Sequence, residues 1–401
     1  MIGSPVVAER TILYVDQTGQ LGGGELAILP WLHHSAAEAR VVLLQDGPFR
    51  ELLEAAGVPV TVLNLGAMST VRRESGGTSI FRSIPDFLRI RSVLARESRN
   101  VSLVYANSQK AFLLAALSKR RGQPLVWHLR DILTSEHFSP LLRRVAVAIG
   151  NRFADRILVN SNATAEALIA AGGAKGKVTV VYDGVSSEPF DRLLQNEANS
   201  STKEHSPSTS IRRALGLPEA TPLVGIFGRL SEWKGQSVLL EAVASLPGVH
   251  VVLVGDALFG EQAYADSLRV RAAERDLASR VHFLGFRRDI PTLMRAMDII
   301  VHASIAPEPF GLVIVEGMLS GRPVIATCAG GAVEIIKHNE SGLLVTPGDV
   351  SELREAIKFL MANGEKAQKL AQNGRERAKE SFSLQRMLDS LQAAIDGVLQ
   401  S

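Results

Sequence analysis

Cysteine is nearly missing from this 401-residue chain, in which Cys328 stands alone. One thiol forms neither an internal disulfide nor a cysteine-based zinc site, so a reducing compartment is expected. Aromatic residues are scarce, at 5%. No uncharged apolar run reaches the roughly 18 residues that a bilayer-spanning helix needs. Met1 to Arg10 lacks the basic-then-apolar run of a signal peptide, and a cytoplasmic protein is expected. Excess charge is also small, +3 from 44 basic and 41 acidic residues. Nucleic-acid binders carry a stronger basic stripe, so no nucleic-acid partner is expected. There is no Asp-x-Asp and no spaced His/carboxylate cluster, so no metal site is expected.

What is present is apolar residues, 46% of the chain. That content excludes dominant disorder, and the length implies more than one domain. Short apolar runs recur near Thr11–Val15, Arg40–Leu44, Val58–Leu63, Ser102–Tyr105, Leu125–His128, Arg156–Val159 and Val178–Tyr182. A second series lies near Leu223–Phe227, His250–Val254, Val281–Leu284, Ile299–Val301, Val324–Ala326 and Gly342–Val345. Helical patterns separate most of them. This alternation predicts an α/β fold of two Rossmann-like domains with parallel sheets. Residues 196–210 are almost all polar and read as a linker between a domain at 1–200 and one at 201–382. Residues 383–401 carry a helical apolar stripe that packs on its own domain or returns to the first.

In open parallel sheets, ligands sit beyond the carboxyl ends of the strands, and two such sheets facing each other form a cleft. The post-strand loops are therefore the places to search. After the first strand come Asp16, Gly19, Gly22, Gly23, Gly24 and Glu25. This loop is neither a Walker A nor a dinucleotide fingerprint, and reads as a tight turn or a phosphate contact. His128 ends another strand, where it could meet a polar ligand or local backbone. Asn107 and Ser108 either line the same wall or cap the next helix. In the second half, Gly228-Arg229 leaves a strand and Lys234-Gly235 follows. A guanidinium fork and a mobile ammonium there could hold a diphosphate. Glu308 and Glu316 are separated by seven residues. Pro309 disfavours helix at Glu308, so the helix should begin near Gly311 with Glu316 more than a turn inside it. Two such carboxylates could reach two parts of one ligand, or serve as ordinary helix charges.

Taken in order, these residues resemble the family-four retaining glycosyltransferases of the GT-B type (glycosyl transferases group 1). The resemblance covers nearly the whole chain. It rests on Glu308 and Glu316, on Gly228, Arg229, Lys234 and Gly235, on the Gly-Gly-x-Glu of Gly22–Glu25, and on His128. Tyr182-Asp183-Gly184-Val185 is similar to the family's Asn-Gly-Val segment, with Asp183 in place of the usual Asn. The resemblance implies that Arg229 and Lys234 bind the donor diphosphate, Glu316 the ribose and Glu308 the transferring sugar. It implies amide contacts at Gly311, Leu312 and Val313, a phosphate approach at Gly23, a base contact at the Arg287 backbone, and a sugar contact at His128. The catalytic set is then Glu308, His128, Arg229 and Lys234. The implied activity moves a hexose-type sugar, with retention, from a nucleoside-diphosphate sugar to a hydroxyl of a glycan, a lipid-linked sugar or a small metabolite. No cofactor or metal is implied.

Residues 72–99 hold Arg72, Arg73, Arg82, Arg89, Arg91, Arg96 and Arg99 among Ile80, Phe81, Ile84, Phe87 and Leu88. This segment reads as a solvated helix face over a core or as a peripheral contact with the inner membrane face. Two other functions are compatible with the pattern: a sugar-nucleotide epimerase of the same architecture, and a non-catalytic sugar-nucleotide-binding protein.

Overall fold

The computed structural model describes residues 11–34, 38–63, 84–134, 139–199, 206–258 and 260–400. The chain divides into two compact units, Met1–Tyr182 with Leu388–Ser401, and Asp183–Met387.

The first unit is built on seven parallel strands: β1 (Thr11–Asp16), β2 (Glu38–Leu43), β3 (Val60–Val62), β4 (Leu103–Ala106), β5 (Leu125–Leu129), β6 (Arg156–Val159) and β7 (Val178–Val180). Their spatial order is β3-β2-β1-β4-β5-β6-β7. β1, β4 and β5 are buried along their whole length. Both faces of such a sheet are covered, which is why these strands read as continuous apolar runs rather than alternating ones. Phe112 and Trp127 stack in the core with ring centroids 4.4 Å apart and planes at 8°. Both rings are fully buried.

The second unit repeats the plan with six parallel strands: β8 (Leu223–Phe227), β9 (His250–Val254), β10 (Val281–Phe283), β11 (Ile299–His302), β12 (Val324–Thr327) and β13 (Leu343–Val345). The order is β10-β9-β8-β11-β12-β13. In each sheet the order reverses once, between β1 and β4 and between β8 and β11. At such a switch point the connections leave to opposite sides and open a crevice at the strands' carboxyl ends.

The division between the units falls at Tyr182/Asp183, earlier than the polar stretch at 196–210 expected to mark it. Residues 196–199 close the helix Glu188–Asn199, and 207–210 open the helix Pro207–Ala214. Residues 200–205 lie outside the described residues; of the others, Glu197 and Ser206 have structural roles. Glu197 pairs with Arg295 at 2.8 Å, and the Ser206 hydroxyl accepts from the Thr209 amide at 3.1 Å. Capping and pairing residues look like loop by composition alone.

Of the Arg-rich segment, positions 72–83 lie outside the described residues. The helix Ile84–Glu97 buries Ile90 and Leu94 and exposes Leu88, Arg89 and Arg91. Among the described residues no helix is long and apolar enough to cross a membrane.

The Phe112–Trp127 stack gives the first unit a testable anchor. Phe112→Ala should lower the unfolding free energy by about 3–5 kcal/mol, measured by denaturant titration. A loss under about 1 kcal/mol would contradict the packing described.

Candidate active site

In the second unit, Gly228 leaves β8 with φ 130° and hands the chain to Arg229. A short turn, Glu232–Lys234, ends at Gly235, whose φ is 72°. A side chain at Gly235 would collide with the Ala303 carbonyl. Only glycine lets this turn lie directly on the end of β11. The Ile305 amide then donates to the Trp233 carbonyl at 2.8 Å. This contact delivers Lys234 to Glu308.

Glu308 is 7% exposed. Its Oε1 accepts from the Lys234 ammonium at 2.7 Å, and His302 Nε2 lies 2.8 Å from the same oxygen. The Ser304 hydroxyl donates to it as well. No described residue donates to Oε2. Burial alone would raise the carboxyl, but the charges of and hydrogen bonds from Lys234 and His302 override it and hold it well below the usual range. Lys234 Nζ also sits 4.4 Å from the centre of the Trp233 ring. Behind Glu308, the Gly331 amide donates to its carbonyl at 2.8 Å, and Gly330 (φ 59°) approaches so closely that a Cβ would clash there.

Arg229 lies within electrostatic reach of Glu308 and Glu261. Burial depresses its pKa, and those carboxylates partly offset that. Gln236 holds the Arg229 carbonyl at 2.9 Å. The next helix, Leu312–Leu319, is preceded by Gly311 at φ 114° with no side-chain cap, so its first amides face outward from the end of the chain turn. Glu316 lies in its second turn, makes no hydrogen bond or ion pair with the others, and is pushed by burial up to about 7. Arg287 is exposed and its side chain pairs with Asp289 at 2.7 Å. The structure thus joins Arg229, Lys234 and Glu308 in one cluster, and places Gly311, Leu312, Val313 and Glu316 on the adjoining helix.

In the first unit, Gly23 opens the helix Gly23–His34. His128 is buried at 1% exposure in β5. Its Nδ1 meets the Tyr105 hydroxyl, while Nε2 has no partner among the described residues. Burial, then the Arg130 charge, pull its pKa well below the ordinary value, so the ring is neutral at pH 7.

Beside it, Asp16 and Asn107, expected separately in post-strand loops, form one cluster with Arg130. Register pairs Val15 with Ala106, so Asp16 and Asn107 emerge side by side at the switch point. The fully buried Asp16 accepts from Asn107 Nδ2 at 2.7 Å, Tyr14 Oη at 2.9 Å and the Gln17 amide at 2.6 Å. Arg130 Nε donates to Asn107 Oδ1 at 2.7 Å. Ser108, not Asn107, caps the following helix by accepting from the Ala111 amide. Burial, then the nearby Glu25 charge, outweigh the hydrogen bonds and raise Asp16 to about 7. The signal in the sequence was an Asp at a strand end ahead of a glycine run; His302 and Ser304 carried no comparable signal.

Two family descriptions match the chain: "Glycosyl transferases group 1" over residues 207–377 and "Glycosyl transferase 4-like domain" over 26–184. The solved structure of Anabaena HepE, in complex with UDP and glucose, is 37% identical. It covers 96% of this chain and 99% of that one, with a TM-score of 0.83. Lipopolysaccharide core biosynthesis glycosyltransferase LpsE of Rhizobium meliloti is 35% identical over 45% of this chain and 51% of its own. D-inositol 3-phosphate glycosyltransferase of Mycobacterium marinum is 32% identical over 60% of this chain and 50% of its own. The chain spans about half the length of these curated relatives.

An acid with a raised native pKa binds more protons folded than unfolded between its two values. Asp16 therefore costs stability as pH rises from about 4 to about 7. Asp16→Asn keeps the acceptor for Asn107 and removes the charge. Between pH 5 and pH 8, melting of the wild type should fall by more than that of the variant, by roughly 2–4 °C per kcal/mol relieved. Parallel melting curves would contradict the assignment.

Proposed function

The chain belongs to the glycosyl transferases group 1, and from that premise we propose that it transfers a hexose from a uridine diphosphate sugar to an acceptor hydroxyl, with retention and without a metal ion. Glu308 carries the reading. Its Oε1 is fixed by three donors, while Oε2 is left to accept from a sugar hydroxyl. Lys234 uses one N–H on Glu308 and has two more for phosphate oxygens. Arg229 adds a planar donor fork. The first amides of the helix at Gly311, Leu312 and Val313 suit the same anion. The uridine is taken from the HepE complexes with UDP and with UDP-glucose.

The chemistry follows from charge. The bond from the anomeric carbon to the phosphate oxygen breaks, and the bond to the acceptor oxygen forms. Negative charge grows on the leaving diphosphate and positive character on the sugar. Cations fixed at the diphosphate stabilise that state more than the ground state. The acceptor proton passes to the departing phosphate oxygen, so no separate base is needed. Glu308 orients the sugar, Glu316 takes the ribose hydroxyls, and the backbone at Arg287 meets the base. In the first unit the resemblance gives His128 a sugar contact and Gly23 a phosphate contact. The acceptor is a glycan, glycolipid or small metabolite, as the LpsE and D-inositol 3-phosphate relatives suggest.

Lys234→Ala and Glu308→Gln should each lower transfer from UDP-glucose by roughly 10²–10³-fold in the presence of EDTA, with circular dichroism unchanged. Wild-type turnover in both would overturn the reading. We also propose a peripheral contact with anionic lipid through the exposed Leu88, Arg89 and Arg91. At low salt the full chain should co-sediment with anionic vesicles and not with neutral ones; equal sedimentation would remove the idea.

A further inference from the structure

The second unit contains a cavity of about 840 Å³ on the side of its sheet away from Glu308. It is lined by Pro222, Asp298 and Pro323, which precede β8, β11 and β12, whereas the candidate active site follows the ends of β8 and β11. Four arginines line it: Arg212, Arg295, Arg322 and Arg375. Three of them form ion pairs. Arg212 pairs with Asp298 at 2.6 Å, Arg295 with Glu197 at 2.8 Å, and Arg375 with Asp191. Arg322 is different. Its Nε and Nη2 both donate to one neutral acceptor, the Arg295 carbonyl, at 2.9 and 2.6 Å. No carboxylate among the described residues forms an ion pair with it. The lining carboxylates are Asp298, committed to Arg212, and the exposed Glu219. Burial, then repulsion from Arg295, lower the Arg322 pKa to about 10, and the charges of Asp298 and Glu197 offset this only in part.

A desolvated guanidinium with no carboxylate in ion-pair contact is costly unless something supplies one. The cavity beside it is within the size range of small-ligand sites. We propose that this cavity binds the phosphate group of a small molecule, with Arg322 as its principal donor. A guanidinium fork matches phosphate oxygens in paired hydrogen bonds. Free phosphate and a phosphorylated metabolite share that group, and the volume favours the larger of the two.

The test is isothermal titration of the full chain with glucose 6-phosphate and, separately, with inorganic phosphate. It is repeated on Lys234→Met to distinguish binding at the candidate active site. The proposal expects one saturable site in the wild type that persists in Lys234→Met and weakens at least about tenfold in Arg322→Met, the loss of one charge-assisted contact. Arg322→Lys, which keeps the charge without the fork, should fall between them and serves if Arg322→Met does not fold. Tighter binding of glucose 6-phosphate identifies a phosphorylated metabolite; equal binding of the two identifies free phosphate. No binding by the wild type at millimolar probe, binding lost with Lys234→Met, or equal affinity in the Arg322 variants overturns the proposal.

Discussion

The ion pair between Lys234 and Glu308 is the contact around which the second unit's candidate site is built. Burying two charges costs several kcal/mol per ion, and their attraction repays that only with good geometry and extra hydrogen bonds. Here His302 and Ser304 join Lys234 on one carboxylate oxygen. The arrangement concentrates every bond on Oε1 and leaves Oε2 uncommitted. A carboxylate satisfied evenly would hold itself in place but offer nothing to a ligand. The backbone around it permits this close approach: Gly235 and Gly330 stand where any side chain would strike Ala303 or Glu308. The left-handed turn at Gly235 is therefore part of the same device as the lysine it follows.

The two units repeat one topology with different chemistry at the switch point. In the second, Arg229 and Lys234 gather cationic donors after β8. In the first, Asp16, Asn107 and Arg130 form a buried network of both signs after β1, β4 and β5. Parallel-sheet geometry fixes where the loops converge, and the residues in those loops decide what is bound there. The raised pKa of Asp16 near neutrality follows from burial of the network and from the nearby Glu25 charge.

Much of this was legible in the sequence. Thirteen apolar runs corresponded to thirteen parallel strands, because strands buried on both faces need continuous apolar residues. Pro309 and Gly311 located the start of the helix carrying Glu316. Three things escaped. The polar stretch at 196–210 looked like linker, since caps and ion pairs share their residue types with loops. His302 and Ser304 are unremarkable in sequence, and only the close approach at Gly235 and the bend at Glu308 bring them to one oxygen. Arg322 follows a glycine in an ordinary turn, and that no described carboxylate pairs with it directly is a property of three dimensions alone.

The claim that Lys234, held by Glu308, grips a diphosphate is tested most directly by the affinity ratio of UDP to uridine. Isothermal titration in EDTA should give a ratio of at least about tenfold in the wild type, the worth of one charge-assisted hydrogen bond or more. In Lys234→Met the ratio should fall toward one. A ratio that survives the substitution unchanged would contradict the account.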